Sequence, residues 1–190
     1  MRTTWRWPRD HDEGDLIVSE MDEVIPALVA AVQEQHATGD HYRDDAIRQA
    51  MEHQAQLALR PGPVRVDVIV DPPWSDGQIN SVQVVTGDRA FLVDTVASCL
   101  LRHGWRVEDV RHPIIGVKRD RGTIEAVGMP GRGGCASESW IHIDATAPLG
   151  TDIGQAAEQL RDDLCACLDQ VLCATDDWGA RHEALLPTAE

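Results

Sequence analysis

Gly87-Asp-Arg-Ala-Phe-Leu-Val-Asp-Thr95 is the stretch of sequence on which the fold depends. It follows the apolar run Ile79-Asn-Ser-Val-Gln-Val-Val85, which is typical of a strand, and apolar residues then recur at helical spacing. The sequence therefore predicts a tight corner between a strand and a helix. Because the first N–H groups of a helix lack partners within it, such a corner either caps the helix or receives an anion.

Two interpretations of this corner follow from its residues. We expect the corner mainly to cap the helix, with Asp88 accepting from the first turn and Gly87 letting the chain leave the strand. Phe91 is then expected to be buried as a core anchor. In the alternative, Gly87, Asp88, Arg89 and Ala90 form a ligand corner for a small anion such as an amino-acid carboxylate.

The order of elements around the corner predicts the fold class. From Val64 onward the pattern is strand, strand, helix, strand, strand, strand, helix, and two further helices precede it. This order predicts an α+β fold: a two-layer sandwich with a mainly antiparallel sheet of about five strands. The helices predicted at Ala90–His103 and Thr151–Thr175 should share one face of it. We expect Val64–Val70 to pair beside Ile79–Thr86.

The chain divides into three segments in this interpretation. Residues 1–62 form an N-terminal arm, in which residues 1–18 lack periodicity, followed by a helical preface. Residues 63–178 form the main domain, and residues 179–190 form a tail or the start of a further helix. Within the main domain, Trp105–Arg119 is expected to be one long strand broken at His112-Pro113.

The last predicted strand, Ser139–Thr146, has two different faces. Ile141 and Ile143 point one way, toward the helices, whereas Glu138, Trp140, His142 and Asp144 point the other way. That second face needs a cover, which could be the N-terminal helices, another subunit or another domain. Because next-but-one residues of a strand lie about 7 Å apart, these side chains are too far apart to share a metal ion, and we expect none.

Composition narrows the function classes. The net charge is −15, which disfavours binding to nucleic acid or to a membrane surface. The five cysteines lack zinc spacing and are expected to be free thiols in the cytoplasm. The sequence lacks a signal peptide, a spanning apolar run, a nucleophile elbow and a dinucleotide fingerprint after a strand. These features predict a cytoplasmic domain without an active site.

Four blocks carry a family likeness, in the same order over about Val64–Leu172. They are Phe91-Leu-Val-Asp94, Leu101-Arg-His-Gly104, His112-Pro-Ile-Ile-Gly-Val-Lys-Arg-Asp120 and Glu138-Ser-Trp-Ile-His142. The strand, corner and helix resemble those of an ACT-type regulatory domain. The whole set is still more similar to the N-terminal ACT-like region of the large NAD-specific glutamate dehydrogenases.

The resemblance implies an ACT-like, ferredoxin-like sandwich with a regulatory or assembly role. The parent activity is the oxidative deamination of L-glutamate to 2-oxoglutarate, and NAD would bind the parent's catalytic domain, so no cofactor is expected in this chain. The implied partners are other domains or subunits of the same enzyme, in a homo-oligomer, and an amino-acid effector. The ACT corner has glycine where this chain has Phe91, which favours packing over effector binding there.

Two other functions remain open at this stage. The chain could be a stand-alone ACT-like sensor or oligomerisation module that binds an amino acid between two copies. It could also be a small enzyme that uses Glu138, His142 and Asp144, which the sequence favours least.

Overall fold

A computed structural model describes residues 16–17, 21–35, 44–75 and 77–185 of the chain. The helices are α1 (Met21–Gln35), α2 (Asp44–Ala58), α3 (Leu92–Arg102) and α4 (Ile153–Leu185). The strands are β1 (Leu16–Ile17), β2 (Val64–Ile69), β3 (Asn80–Gly87), β4 (Arg106–Arg111), β5 (Ile114–Asp120), β6 (Thr123–Gly128) and β7 (Ala136–Thr146).

The strands form one antiparallel sheet with the order β1-β6-β5-β7-β3-β2, and β4 also pairs with β7. Strands β4 and β5 lie end to end along the same edge of β7. Between them, the Trp140 amide donates to the carbonyl of Pro113 at 3.0 Å. Because proline has no N–H to give to a ladder, the predicted long strand is broken at His112-Pro113, as expected.

The structure confirms the predicted α+β class. It also confirms that Val64–Val70 pairs beside Ile79–Thr86. Strand β2 pairs with β3 along its whole length, from Val64 opposite Thr86 to Ile69 opposite Ser81. The described residues contain seven strands where about five were expected. The break at Pro113 divides one predicted strand into two. Leu16–Ile17 adds another by pairing with β6, although no strand was expected in that arm.

Helices α3 and α4 cover one face of the sheet, as predicted. Their apolar side chains pack against Val82, Val84, Ile141 and Ile143, all of which are fully buried. Helix α4 is longer than expected. It continues through residue 178 to Leu185, so the segment interpreted as a tail or a further helix begins inside α4. Residues 186–190 lie outside the described part of the chain.

Helices α1 and α2 cover the opposite face, which answers the question of what lies over Trp140. Val24, Leu28, Leu57 and Trp140 belong to one buried cluster that also contains apolar residues of β5 and β6. The sheet therefore lies between two layers of helices. In the part of the chain that the structure describes, no helix is both long and apolar enough to cross a membrane.

Gly116 lies opposite Gly128, where β5 passes close to the end of β6. A Cβ atom at this position would lie 2.5 Å from the carbonyl carbon of Met129 and 2.6 Å from its oxygen. Backbone atoms cannot rotate away as a side chain can. We therefore expect Gly116→Ala to lower the free energy of unfolding by roughly 3 kcal/mol, the scale of overpacking in a tight core, measured by urea denaturation.

Gly87→Ala is the matched control, because a Cβ atom there would meet only the Arg89 guanidinium, at 3.9 Å. Its expected effect is below about 1 kcal/mol. Equal losses of unfolding free energy in the two variants would show that the close backbone approach is not the reason that position 116 requires glycine.

Candidate functional site

The corner between β3 and α3 differs from the expected helix cap. Phe91, not Asp88, is the N-cap residue, and its side chain makes no capping hydrogen bond. Its backbone is left-handed, with φ 70° and ψ 7°, a conformation that costs a residue with a β-carbon about 1 kcal/mol or more. The Phe91 carbonyl accepts from the Thr95 amide at 3.0 Å, which begins the helix. The prediction that Asp88 caps α3 is therefore wrong.

Asp88 instead ties the corner to the sheet. Its amide donates to the carbonyl of Ser137 at 2.9 Å, and its carboxylate accepts from the Ser139 hydroxyl at 2.6 Å. The Ser139 oxygen also lies 3.0 Å from His112 Nε2. Because the serine proton is given to Asp88, His112 donates from Nε2 in this arrangement. Asp88, Ser139 and His112 therefore form a chain of hydrogen bonds that joins the corner, β7 and the break between β4 and β5.

This chain of hydrogen bonds contains serine, histidine and aspartate but lacks the order of a hydrolytic triad. In a triad the histidine accepts the serine proton, whereas here the Ser139 proton is directed at Asp88 and Ser139 is fully buried. Burial lowers the pKa of His112, and the nearby Asp88 charge opposes that shift only in part. The arrangement fixes the corner in place and offers no nucleophile.

Phe91 is exposed, which contradicts its expected role as a core anchor. Its relative exposure is 66%, the value of a side chain that stands in solvent. The left-handed backbone at Phe91 turns the side chain away from the layer between α3 and the sheet, and Leu92 is the residue buried there. A glycine would adopt this conformation without strain. The corner thus keeps the backbone shape that glycine favours and places an aromatic ring on the surface.

The other corner residues have distinct roles. Gly87 does not have a positive φ, so the freedom of glycine is not what turns the chain here. Arg89 donates to the Asp88 carbonyl at 2.8 Å, and both Arg89 and Ala90 are exposed. The candidate ligand corner is therefore accessible, and it presents one cation and one aromatic ring beside the start of α3.

The predicted polar face of β7 is buried beneath α1 and α2. Arg119 holds Glu138 with two hydrogen bonds, at 2.6 and 3.0 Å, and also donates to the carbonyl of Ala58 at the end of α2 at 3.0 Å. Trp140 is fully buried, and its indole nitrogen has no hydrogen-bond partner among the residues that the structure describes. The face is thus an internal joint between the sheet and the N-terminal helices.

His142 lies at the centre of that joint and is 5% exposed. Its Nε2 is 3.0 Å from Asp144 Oδ1, and Gln83 Nε2 lies 3.2 Å from its Nδ1. Gln83 also donates to the carbonyl of Ala50 in α2 at 2.9 Å. Arg111 pairs with the other Asp144 oxygen. An imidazole with a proton on Nε2 alone satisfies both of its neighbours, so the geometry fits the neutral form.

A small cavity lies over this joint. It has a volume of about 10 Å³, roughly the room for one water molecule, and it is lined by Val32, Ala50, Met51, Gln54, Arg111, Pro113 and His142. In the described ranges, no group of three or more histidine, cysteine, aspartate or glutamate side chains could hold a metal ion. Glu138, His142 and Asp144 are each engaged by protein groups within this joint.

The sequence did not place Asp88 and Ser139 beside His112. Ser139 is 51 residues from Asp88 and 27 from His112, so no local pattern links them. The available signal was indirect: a histidine before the strand break at Pro113, and a serine among the side chains on the α3 side of β7. Only the pairing of β7 with both β3 and β5 brings these residues together.

Burial lowers the pKa of His142 below its ordinary value of 6.5, and the hydrogen bond to Asp144 only partly offsets this shift. The folded protein therefore binds this proton less readily than the unfolded chain does. The resulting stability is fully present above pH 6.5 and is lost as the pH falls below it. We expect a contribution of up to about 1.4 kcal/mol per pH unit there. Urea denaturation of wild type and His142→Gln at pH 7.5 and 5.5 measures the difference.

Trp140→Phe is the control, because it perturbs the same face without removing a titratable group. It should retain the wild-type pH dependence, whereas His142→Gln should weaken it and leave the part that comes from His112. A His142→Gln protein with the full wild-type dependence would contradict a buried neutral His142.

The same elements are matched in a comparison with known protein families. A family model described as the glutamate dehydrogenase ACT1 domain matches residues 27–164, which include the corner, the polar face of β7 and the first part of α4. Neither the curated proteins nor the solved structures give a significant match to the chain. The family match spans more than half of the chain and confirms the resemblance drawn from the four sequence blocks. The chain belongs to the glutamate dehydrogenase ACT1 domain family.

Proposed function

We propose that this chain is a non-catalytic regulatory and assembly domain of an NAD-specific glutamate dehydrogenase. The parent enzyme would oxidatively deaminate L-glutamate to 2-oxoglutarate in the cytoplasm, with NAD bound by its catalytic domain and not by this chain. The partners would be other domains or subunits of the same enzyme, in a homo-oligomer. Membership of the family supports this assignment. So does the engagement of Ser139, His142 and Asp144 in internal hydrogen bonds.

The exposed ring and the left-handed backbone of Phe91 are the observation that supports the assembly role. Its ring is 66% exposed, and its backbone is left-handed, where a side chain is strained. Exposing a large aromatic ring loses roughly 1.5–3 kcal/mol relative to burying it, and the backbone costs about 1 kcal/mol more. Strained residues of this kind cluster at functional sites. Contact with another subunit or domain would remove the ring from water and offset both costs.

An amino-acid sensor is the second candidate function. The first turn of α3 begins without a side-chain cap at Phe91, and the exposed Arg89 lies beside it. Uncapped N–H groups and a cation together suit a carboxylate. In this case the Phe91 ring would cover the apolar part of the bound amino acid.

The assembly role predicts that the oligomeric state depends on Phe91. We expect sedimentation velocity from about 1 to 100 µM, the range in which small interfaces dissociate, to show the wild type associating with rising concentration. Phe91→Gly should shift that association to higher concentration. Thermal melts should show Phe91→Gly more stable than the wild type by about 1 kcal/mol when both are monomeric, because glycine relieves the strain.

Leu101→Ala is the matched control. Leu101 is 65% exposed at the other end of α3, but its backbone is helical, so it tests exposure without strain. Leu101→Ala should associate as the wild type does. A wild type that stays monomeric throughout, or that associates equally well with glycine at position 91, would contradict assembly through Phe91.

Calorimetric titration separates the two functions. Binding of glutamate, aspartate, leucine or serine that is lost in Arg89→Ala and in Phe91→Gly would favour the sensor. The assembly role predicts no such heat at the corner. In either case we expect no NAD-dependent oxidation of glutamate by the 190-residue chain, and turnover by the purified chain would overturn its non-catalytic assignment.

A further inference from the structure

An unbroken series of hydrogen bonds runs from α2 through the sheet to β4. In α2, His53 Nδ1 lies 2.8 Å from Gln83 Oε1, and Gln83 Nε2 lies 3.2 Å from His142 Nδ1. On the other side of its ring, His142 Nε2 lies 3.0 Å from one Asp144 oxygen, and the second oxygen pairs with Arg111 of β4. Gln83 is fully buried and His142 is nearly so. Each therefore depends on its neighbours in the series for its hydrogen bonds.

One backbone carbonyl fixes the direction of this series. Gln83 Nε2 donates to the carbonyl of Ala50 at 2.9 Å, and because a carbonyl only accepts, the nitrogen and oxygen of the Gln83 amide cannot exchange places. The amide oxygen therefore faces His53, whose Nδ1 must carry a proton. The second amide hydrogen faces His142, whose proton must be on Nε2. A single carbonyl of α2 thus sets the tautomers of two histidines on different elements.

We propose that protonation of His142 loosens the contact between α2 and β3. A second proton on the ring would occupy Nδ1, where the Gln83 amide already directs a hydrogen, and two donors cannot bond each other. Gln83 relieves this conflict by turning its amide over, so that its oxygen accepts from His142. The turned amide then directs its oxygen at the Ala50 carbonyl and its nitrogen at the His53 N–H. Both hydrogen bonds between Gln83 and α2 are lost together.

The surroundings of His142 keep this contact intact at neutral pH. Burial lowers the pKa of His142 below its ordinary value of 6.5, and the Arg111 cation adds to the shift. The hydrogen bond to Asp144 and the charge of Asp109 on β4 oppose it only in part. The neutral neighbours come from β3, α2, α1 and the break between β4 and β5, and they are Gln83, Ala50, Met51, Gln54, Val32 and Pro113.

His53 differs from His142 although both belong to the same series. Its Nδ1 already donates to Gln83, and a second proton would lie on Nε2, which is 3.8 Å from an Asp67 oxygen of β2. Protonation of His53 would therefore leave the Gln83 amide as it is. Gln54 donates to two backbone carbonyls of the sheet, and these bonds do not involve His142. We thus expect α2 to loosen at the turn that Gln83 holds, and not to leave the sheet.

The tautomers provide the first test, on the unaltered chain. A long-range proton–nitrogen NMR spectrum of the imidazole rings at pH 7.5 should show the proton on Nδ1 in His53 and on Nε2 in His142. His53→Gln and His142→Gln assign the two sets of signals. Either histidine in the opposite tautomer would overturn the direction of the series and the proposal with it.

Hydrogen–deuterium exchange measures the loosening itself. A His142 released from its site regains its ordinary pKa of 6.5, so protons favour the loosened form below that pH. Between pH 7.5 and 5.5 the α2 amides should exchange faster by up to roughly tenfold, beyond the change in the intrinsic exchange rate. The amides of β3 and β7 should not share this rise. An equal rise in every segment would reveal global unfolding and overturn a local release of α2.

Matched variants identify the histidine that responds to pH. His142→Gln removes the titratable group and should abolish the additional rise in α2 exchange, whereas His53→Gln should retain it. Gln83→Leu removes the amide between them, so α2 should exchange faster at both pH values, without the additional rise. Circular dichroism establishes that each variant is folded. A rise that persists in His142→Gln, or that disappears in His53→Gln, would contradict the proposal.

Discussion

Strand β7 is buried on both of its faces, and the rest of the structure is arranged around that constraint. Its residues 138–145 are all buried, although the strand alternates apolar and polar side chains. Ile141 and Ile143 need only apolar neighbours, which α3 and α4 supply. Glu138, His142 and Asp144 lose water, so each needs a hydrogen-bond partner from the protein. The partners come from three different strands, β5, β3 and β4.

These partners tie the sheet registers together. Arg119 meets Glu138, Gln83 meets His142, and Arg111 meets Asp144. A slip of one residue in any of these pairings would direct the polar side chains of β7 at the apolar layer of α3 and α4. The same network reaches α2 through Gln83 and the Ala50 carbonyl, and through Arg119 and the Ala58 carbonyl. The polar face therefore positions the N-terminal helices as well as the strands.

Much of the fold could be predicted from the sequence because it depends on local periodicity. The alternation along β2 and β7 and the helical spacing of α3 each follow from a few neighbouring residues. The elements that pack over Trp140 could not be predicted in the same way. An apolar stripe on a helix indicates that this face of the helix is buried, but not which element packs against it. Gln54 illustrates the limit: its amide donates to the carbonyls of Val84 and Ile141, far away in sequence.

The corner was mispredicted for two further physical reasons. Asp88 is a residue type that caps helices, but the Ser139 hydroxyl binds its carboxylate across the sheet. The N-cap of α3 is Phe91, three residues after Asp88. For Phe91, an aromatic residue near the start of an amphipathic helix suggested burial. However, an individual apolar residue is not always buried, and a left-handed backbone redirects the side chain. No local pattern revealed the positive φ, since glycine is the residue that usually signals it.

The two helix layers differ in which groups they leave accessible for contacts with other subunits. On the α1 and α2 side, Glu138, His142 and Asp144 of β7 are engaged by side chains of the sheet, which also reach α2. Contacts with other subunits would therefore have to avoid the joint that holds the protein together. On the other side, α3 begins at an exposed, strained Phe91, and Arg102 at its end donates to Cys167 Sγ of α4 at 3.2 Å. The proposed assembly role therefore uses the exposed start of α3 and leaves that joint intact.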